Sequence, residues 1–257
     1  MPEECDQAVE TLNPKGRGPV LLLCEHASNH VPDRYQDLGL SPEDRISHAA
    51  WDPGARDVCL HLSAALDAPV VASCVSRLVY DCNRPPDSPG AMATRSETIE
   101  VPGNKALSDA QRQERIDTVY QPFCSAVNAV LDARASKGLP SVIVTIHSFT
   151  PVYFGTRRRV EIGVLHDSDS RLADAMLAQA TALPHRVIER NAPYGPQDGV
   201  THSLLLHAVR RGLANVMIEL RNDLIADAAG VAALSEEVLR LLAPALQTVM
   251  RSEVQDV

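Results

Sequence analysis

The sequence predicts a mixed α/β protein with a largely parallel sheet and helices on both faces of the sheet. Apolar runs of strand length, such as residues 19–26 and 141–148, alternate with segments whose apolar residues recur at helical spacing. The chain has 257 residues, of which 45% are hydrophobic and 22% charged, so it can bury one large core. Because neither a linker nor an internal repeat interrupts this alternation, we expect one domain over residues 1–257, with its core at about 19–246.

The first part of the chain is expected to contain a β-α-β unit. Residues 19–26 form its first strand, and residues 57–66 have helical spacing and lead into the β-branched run 69–75. The crossover between the two strands should be right-handed. A further helix begins at Ser41, because serine followed by proline and two acidic residues is typical of a helix N-terminus.

The remaining elements follow the same alternation. Residues 83–105 are rich in Pro, Gly, Ser and Thr, which predicts a long surface loop, and residues 108–136 read as one long amphipathic helix. Further elements are predicted after the strand at 141–148, namely strands at 160–165, 186–189 and 214–219, and helices at 170–180, at 203–211 and from about residue 235.

Charge and composition restrict the partners. The formal net charge of −9 and the pI of about 5.4 argue against nucleic acid or an anionic membrane as a partner, since such surfaces bind basic patches. No apolar run approaches the roughly 18 residues that span a bilayer, and the N-terminus lacks the basic and apolar regions of a secretory signal. We therefore expect a cytoplasmic protein.

Cysteine usage agrees with that location. The cysteines are scattered without C-x-x-C pairs, and most lie in apolar stretches where a thiol behaves as a small hydrophobic group. We expect reduced and mostly buried thiols at Cys5, Cys24, Cys59, Cys74, Cys82 and Cys124.

Two histidines stand where a predicted strand gives way to a loop. His26 ends the first strand and His147 ends the run at 141–148. Open α/β sheets bind ligands at the carboxyl ends of their strands, and neutral imidazole is the commonest protein ligand of zinc. The sequence therefore predicts a Zn2+ site, which manganese, iron or cobalt would also suit.

A catalytic zinc site needs three protein ligands and one open position. The candidates for the third ligand are Glu25, His30 and Asp52. Successive strand residues point to opposite faces, which disfavours Glu25 beside His26. Asp52 precedes a Pro-Gly turn, where an aspartate often only caps the turn. We choose Asp52 as the third ligand and keep Glu25 in reserve.

Glu219 ends a strongly apolar strand, where an unpaired carboxylate is costly. Pairing with Arg221 would give it a purely structural role. Beside a metal, however, Glu219 would act as the general base for attack of water on a carbonyl group, and we predict that role.

Several polar residues near predicted strand ends are candidates for substrate binding. Arg84 follows Asn83 after an apolar run, and a guanidinium group binds a carboxylate in a planar, two-pronged manner to which an amide adds a donor. Arg77 and Arg221 are similar candidates. His202, in a loop before a predicted helix, would contact substrate or donate a proton, although such a histidine is as often only surface.

Five segments together resemble the N-formylglutamate amidohydrolase family. They are Cys-Glu-His-Ala-Ser-Asn at 24–29, Ala-Trp-Asp-Pro-Gly-Ala at 50–55, Ser-Arg-Leu-Val-Tyr-Asp-Cys-Asn-Arg-Pro-Pro at 76–86, Ile-His-Ser-Phe at 146–149 and Ile-Glu-Leu-Arg-Asn-Asp-Leu at 218–224. The family is similar in fold to zinc carboxypeptidases and aspartoacylase-like amidohydrolases, a phosphorylase/hydrolase-like architecture.

In that superfamily the motif order is histidine ligand, acidic ligand, Asn-Arg carboxylate clamp, histidine ligand and glutamate base. This chain offers matching residues in the same order, namely His26, Asp52, Asn83 with Arg84, His147 and Glu219. One departure concerns the acidic ligand, which the carboxypeptidases take three residues after the first histidine. That position is Asn29 here, and asparagine is a poor zinc ligand.

The resemblance implies zinc-dependent hydrolysis of the amide bond of a small anionic N-acyl amino acid, from N-formyl-L-glutamate to formate and L-glutamate. Two alternatives stay open from the sequence. One is an amidohydrolase for another N-acyl acidic compound, and the other is a non-catalytic zinc-dependent protein that binds carboxylates. The oligomeric state is also open.

Overall fold

The computed structural model describes residues 7–255 of the chain. The strands within this range, in chain order, are β1 (Val9–Leu12), β2 (Val20–Cys24), β3 (Val70–Ser73), β4 (Arg95–Ser96), β5 (Ile99–Glu100), β6 (Val142–Phe149), β7 (Val152–Tyr153), β8 (Thr156–Arg157), β9 (Ile162–Leu165), β10 (Ile188–Arg190) and β11 (Asn215–Arg221). The α-helices are α1 (Pro42–Ile46), α2 (Ala55–Leu66), α3 (Asp109–Arg115), α4 (Gln121–Ala135), α5 (Arg171–Leu177) and α6 (Ala228–Gln255).

Within the described range, seven strands form one mixed sheet in the order β1-β3-β2-β6-β11-β9-β10. The central strands β3, β2, β6 and β11 are parallel to one another. β1 pairs with β3 in the antiparallel sense and so does β9 with β11, whereas β10 is parallel to β9. The predicted mixed, largely parallel sheet is confirmed. Two small hairpins, β4–β5 and β7–β8, lie outside it.

Helices cover both faces of the sheet, as predicted. On β2, Leu22 packs in a core with α2, α5 and α6, whereas Leu21 and Leu23 pack in a second core with Phe123 of α4. All residues of β2 are fully buried, which explains why this strand is continuously apolar rather than alternating. Each buried leucine contributes roughly 1.5–3 kcal/mol, so the central strands hold a rigid platform below their carboxyl ends.

Two predicted helix starts are confirmed by their caps. The Ser41 hydroxyl accepts a hydrogen bond from the Asp44 amide at 3.1 Å. The Ser108 hydroxyl accepts from the Gln111 amide at 3.2 Å, and the Gln111 side chain accepts from the Ser108 amide at 2.9 Å. This reciprocal pair is a capping box. The long helix predicted over residues 108–136 forms, with a π-helical turn at Ile116–Tyr120 between α3 and α4.

Other elements differ from the prediction. α6 begins at Ala228 rather than about residue 235, because the Asp227 carboxylate accepts the Gly230 amide at 2.8 Å and completes the helix start. The segment predicted as a helix over 203–211 contains a π-helical turn and a short 3-10 turn instead of a regular helix. The short edge strand β1 was not predicted, and the loop at 83–105 includes the hairpin β4–β5.

Most of the described thiols are buried, as predicted. Cys24, Cys59 and Cys82 are free and buried, Cys124 is free and partly buried, and Cys5 lies outside the described residues. Within residues 7–255, no helix has both the length and the apolar character required to cross a membrane.

Candidate active site

The candidate site lies at the carboxyl ends of the central parallel strands. His26 follows β2 by two residues, and His147 lies near the end of β6. Glu219 of β11 is directly opposite His147 in the parallel register. Because paired residues of neighbouring strands project from the same face, the chain positions this carboxyl group beside the imidazole without any contribution from a loop.

Three of these side chains converge on one point. His26 Nδ1 lies 3.1 Å from Asp52 Oδ2, His147 Nδ1 lies 3.0 Å from the same oxygen, and the two Nδ1 atoms are 3.1 Å apart. All three residues are buried. The structure thus brings together the set that the sequence predicted as metal ligands.

A tight turn holds Asp52 in this position. The Asp52 amide donates to the His26 carbonyl at 3.0 Å, and Gly54 adopts a left-handed conformation with φ of +81°. A Cβ atom at residue 54 would lie 2.7 Å from the Ile225 carbonyl oxygen, so only glycine fits there. The Pro-Gly turn seen in the sequence therefore fixes the position of Asp52 relative to His26.

The outer nitrogens of both histidines face carboxylates. His26 Nε2 lies 2.7 Å from Asp81 Oδ1, and His147 Nε2 lies 3.2 Å from Glu25 Oε2. Such pairs favour the tautomer with the proton on Nε2, which leaves a lone pair on each Nδ1. Glu25, the reserve ligand, is thus behind His147 rather than in the converging set.

This arrangement fits a divalent metal ion. Two Nδ1 lone pairs and a carboxylate oxygen at 3.0–3.1 Å repel one another unless a positive charge lies between them. Burial alone would lower the pKa of His147, but the carboxylates of Glu25 and Asp52 outweigh burial and hold that pKa well above its usual value. The site therefore favours positive charge where the three side chains meet, and nitrogen and carboxylate oxygen are ligands that zinc accepts.

Arg77 braces the two carboxylates that contact His26. Its Nη2 lies 3.0 Å from Asp81 Oδ2, and its Nη1 lies 3.4 Å from Asp52 Oδ1. Burial would raise the pKa of Asp81, but His26 and Arg77 together lower it far below its usual value. Arg77, which the sequence predicted as a substrate contact, does line the cavity, although two carboxylates already occupy its guanidinium group.

Glu219 Oε2 is buried without a hydrogen-bond partner among the described residues, as are both carboxylate oxygens of Glu25 behind His147. Burial raises the pKa of Glu219 to about 7, although His147, His26 and Arg77 oppose the shift. A carboxyl group whose pKa is near neutrality is well suited to accept and release a proton during a reaction.

Arg84 lies against the loop at 195–200. Its Nη1 donates to the Asp198 carbonyl at 2.8 Å, and its Nε is 3.9 Å from Asp81 Oδ2. Gly199 has φ of +67°, and a Cβ atom there would lie 2.7 Å from Arg84 Nη1. The loop therefore leaves room for the guanidinium group, which lines the cavity.

Asn83 also lines the cavity, but its amide is engaged elsewhere. The Nδ2 donates to the Val200 carbonyl, and the Oδ1 accepts from the Ser203 amide at 3.0 Å. The backbone N–H of Asn83 donates to Asp81 Oδ1 at 2.9 Å. In this structure Asn83 connects Asp81 to the loop that supports Arg84, which differs from the direct substrate contact predicted from sequence.

Two other predicted substrate contacts lie outside the cavity lining. His202 Nε2 is 2.8 Å from the hydroxyl of Tyr120. Arg221 Nε donates to Asp223 at 2.7 Å, and its Nη2 donates to Glu161 at 3.3 Å. Neither residue is among those that line the cavity, and Arg221 is paired with Asp223 and Glu161.

Several residues that line the cavity were not predicted from the sequence. His48 Nδ1 is 3.6 Å from Asp52 Oδ1, and burial lowers the pKa of His48 to about 4. Tyr153 and Tyr194 form an aromatic wall, with the Arg158 guanidinium 4.3 Å and 4.8 Å from the respective ring centres. None of these residues has a local motif. For Asp81, which also lines the cavity, the available signal was its place just before Asn83 and Arg84 in the same segment.

The cavity has a volume of about 290 Å³, which suits a small molecule. Its lining is strongly polar. The charged and imidazole side chains in the lining are His26, His48, Asp52, Arg77, Asp81, Arg84, Glu97, His147, Asp198 and Glu219.

A mixed α/β sheet with a buried ligand set and a near-neutral carboxyl group at its carboxyl edge is typical of hydrolases that act on small molecules. Residues 18–226 match the sequence model of N-formylglutamate amidohydrolase, and the chain belongs to that family. The resemblance seen in the sequence is thereby confirmed.

Two solved structures are similar to this chain. A gene product of Agrobacterium tumefaciens is 52% identical, with a TM-score of 0.93 over 95% of this chain and 96% of the other. N-formylglutamate amidohydrolase from Ralstonia eutropha JMP134 is 19% identical, with a TM-score of 0.63 over 95% of this chain and 98% of the other, and shares the fold. No curated protein matches the chain.

Proposed function

We propose that this protein hydrolyses the amide bond of an N-acyl amino acid, with N-formyl-L-glutamate as the reference substrate and formate and L-glutamate as products. The observation that carries this proposal is the convergence of His26, Asp52 and His147 beside the buried carboxyl group of Glu219. Membership of the N-formylglutamate amidohydrolase family supports the same reaction.

The proposed metal is zinc, held by His26 Nδ1, His147 Nδ1 and a carboxylate oxygen of Asp52. When bound, zinc would polarise the acyl carbonyl and lower the pKa of water at the site. Manganese, iron or cobalt would suit the same ligands. We also propose that the site corresponds to that of zinc carboxypeptidases. Asn29 stands where those enzymes have their acidic ligand, but its side-chain amide donates to the Arg45 carbonyl at 3.1 Å. Asp52, on a separate loop, supplies the acidic ligand instead.

Glu219 is the proposed general base. Its carboxylate would accept a proton from the attacking water and pass that proton to the amine nitrogen as the amide bond breaks. Its pKa of about 7, raised by burial, suits both transfers near neutral pH. The register that sets Glu219 beside His147 holds the base close to the ligand set.

Arg84 is the proposed partner of the substrate carboxylate. Its guanidinium group lines the cavity and has donors beyond the single N–H that contacts Asp198. Asn83 would position Arg84 through the loop at 195–200, and Arg77 would hold Asp52 and Asp81. We assign structural roles to His202 and Arg221, since their partners Tyr120, Asp223 and Glu161 do not line the cavity.

We further propose that the whole chain acts as one domain in the cytoplasm on this small anionic substrate. The free buried thiols at Cys24, Cys59 and Cys82 suit a reducing compartment.

A substrate panel tests the proposed reaction. Zinc-loaded protein should release formate from N-formyl-L-glutamate faster than metal-stripped protein does. N-formyl-aspartate, N-acetyl-glutamate and N-succinyl-glutamate form the rest of the panel. Preference for another member would keep the reaction class and change the substrate. Ligand binding with stoichiometric zinc but no turnover on any member would favour a carboxylate-binding protein instead.

A further inference from the structure

Arg158 is a half-buried cation beside the cavity, and its neighbours are aromatic rather than acidic. Its guanidinium carbon lies 4.3 Å, 4.8 Å and 5.4 Å from the ring centres of Tyr153, Tyr194 and Phe149. Within the described part of the chain, its guanidinium nitrogens bond to the Thr150 carbonyl and the Tyr194 hydroxyl and to no carboxylate. The protein therefore holds this positive charge in place without neutralising it.

The hydroxyl of Tyr194 links this charge to the cavity. Arg158 Nη2 donates to the Tyr194 oxygen at 2.7 Å. Because a guanidinium group has only donors, the phenol oxygen accepts this bond and keeps its own proton for another acceptor. None of the described residues accepts that proton. An O–H group whose oxygen already accepts from a cation is a stronger donor, so Tyr194 offers a polarised proton to a ligand.

The backbone around Tyr194 places this hydroxyl near the reacting end of the cavity. Tyr194 lines the cavity, and Glu219 is paired with Gly163 of β9. A Cβ atom on Gly163 would clash with the Ala192 carbonyl oxygen and lie 3.1 Å from Glu219 Cβ, so the loop that carries Tyr194 passes directly beside the proposed base. Burial raises the pKa of Tyr194 to about 12, and the nearby charges that act on its hydroxyl include Glu219 and Arg77, which both line the cavity.

The same loop also contacts Arg84. The Asp198 carbonyl, four residues after Tyr194, accepts from Arg84 Nη1 at 2.8 Å. The loop is thus fixed by one guanidinium group at each end. Arg77 is already shared between two carboxylates of the protein. The cavity therefore offers a substrate two positions that favour an anion, one at Arg84 and one at the Tyr194 hydroxyl backed by Arg158.

An N-acyl derivative of an acidic amino acid has one carboxylate for each position. In the proposed function, one carboxylate pairs with Arg84. The second would accept the Tyr194 proton and would also be attracted by the charge of Arg158. A substrate with a neutral side chain would leave that charge unmatched, and a site built around a polar partner discriminates against compounds that lack it.

We propose that Tyr194 donates a hydrogen bond to the second carboxylate of the substrate and that Arg158 positions and polarises its hydroxyl, so that the site prefers N-acyl derivatives of dicarboxylic amino acids. This inference rests on the proposed function of the cavity. Tyr194 would touch the substrate, whereas Arg158 acts through it. Neither residue belongs to the metal site or acts as the base.

Tyr35 provides a matched control outside the cavity. Arg34 and Arg115 lie 4.7 Å and 4.9 Å from its ring centre, and its hydroxyl donates to Glu114 at 3.0 Å. Here the cation has an acidic partner, since Arg34 also lies 3.3 Å from Glu114. Tyr35 does not line the cavity. Tyr35→Phe thus removes a comparable hydroxyl from a comparable environment without touching the site.

The test compares two substrates that differ in charge and hardly in shape, N-formyl-L-glutamate and N-formyl-L-glutamine. Wild-type protein should use the glutamate compound better. For metal-loaded Tyr194→Phe, the ratio of kcat/KM for the glutamate compound to that for the glutamine compound should fall roughly five- to tenfold, mainly through a higher KM for the dicarboxylate. Tyr35→Phe should keep the wild-type ratio. Because both rates are measured on one preparation, the ratio does not depend on how much of the protein is folded.

Arg158→Gln tests the positioning role. It should lower the same ratio about threefold or more, whereas Arg157→Gln, at the exposed neighbouring residue of β8, should not change it. In the Tyr194→Phe background, Arg158→Gln should have little further effect on the ratio, because Arg158 acts through the hydroxyl. Independent effects of the two substitutions would overturn this part of the proposal.

The outcomes separate this inference from the proposed function. Turnover with an unchanged ratio in Tyr194→Phe, or an equal loss with both compounds, would overturn the role of Tyr194 and leave the proposed reaction intact. If wild-type protein binds the compounds without turnover, the ratio of their Kd values from calorimetry applies the same criterion, and its shift in Tyr194→Phe would support the inference without the reaction. Binding of neither compound by wild-type protein would overturn both.

Discussion

The Nδ1 atoms of His26 and His147 lie 3.1 Å apart. Each imidazole has its other nitrogen against a carboxylate, so both Nδ1 lone pairs are directed inward, toward Asp52 as well as toward each other. The two histidines are 121 positions apart in the chain and reach this geometry because β2 and β6, near whose carboxyl ends they lie, are parallel neighbours. A positive charge between the nitrogens would satisfy both lone pairs and the carboxylate at once.

The first prediction concerns the third ligand. Asp52→Asn keeps the size of the side chain but removes the negative charge, so the protein should lose most of its zinc on dialysis, whereas wild type should keep one zinc per chain. Elemental analysis after dialysis measures this. Asp57→Asn is the matched control, because Asp57 is an exposed residue of the neighbouring helix α2. Equal zinc content in Asp52→Asn and wild type would remove Asp52 from the ligand set.

The outer carboxylates should tune metal affinity without binding the metal. Asp81→Asn and Glu25→Gln each remove the charge that orients one imidazole, so zinc affinity should fall by roughly 10- to 100-fold. Competition with a chromophoric chelator measures the Kd for zinc. A zinc Kd unchanged in both variants would show that the contacts at 2.7 Å and 3.2 Å do not orient the ligands.

The role of Glu219 as general base can be tested separately from metal binding. Glu219→Gln should retain zinc while kcat falls by roughly 100-fold or more, because the amide cannot accept the proton from water. Zinc content and formate release are measured on the same preparation. Glu236→Gln, an exposed glutamate of α6, is the control and should keep wild-type turnover. Wild-type turnover in Glu219→Gln would eliminate this residue as the base.

Arg84 and its supporting loop should act on substrate binding. Arg84→Gln should raise KM at least tenfold with little change in zinc content, since it removes the charged partner of the substrate carboxylate. Gly199→Ala should also raise KM, because its Cβ would lie 2.7 Å from Arg84 Nη1.

Gly138→Ala is the control for Gly199→Ala. Gly138 also has a left-handed φ, of +64°, but nothing lies within 4 Å of a Cβ atom at that position. Both variants therefore carry a similar backbone strain, and only Gly199→Ala crowds Arg84. If the two variants showed the same KM, crowding of Arg84 would not matter to substrate binding.

Arg221 should affect stability rather than catalysis. Its guanidinium group is buried and pairs with Asp223 and Glu161, so Arg221→Gln should lower the free energy of unfolding by about 1–3 kcal/mol. Denaturant unfolding measures the loss, and KM for the substrate should stay near its wild-type value. A large rise in KM with unchanged stability would restore Arg221 as a substrate contact.

Apolar runs and helix-capping residues in the sequence predicted much of this fold. The apolar runs that become β2, β6 and β11 are continuous because both faces of each strand are buried. The polar residues at or just after their carboxyl ends, His26, His147 and Glu219, must then lie at one edge of the sheet. Ser41 and Ser108 marked helix starts, since capping depends on residues within one turn.

Contacts between residues that are far apart in the chain could not be predicted from local sequence patterns. Asp81 gains its position from His26, 55 residues earlier, and no local pattern reveals such a contact. Asn83 looked like part of a carboxylate clamp, yet its amide bonds to the loop near Val200, 117 residues later. Glu97 reaches the cavity only because the hairpin β4–β5 forms inside a segment that reads as structureless.

The most direct test of the central claim is a zinc titration of metal-stripped protein, with formate release from N-formyl-L-glutamate as the readout. Activity should be absent without metal, rise in proportion to added zinc and reach its plateau at one zinc per chain. Full activity in protein shown by elemental analysis to contain no metal would contradict the proposed metal dependence. So would the same plateau in variants that lack His26, Asp52 or His147.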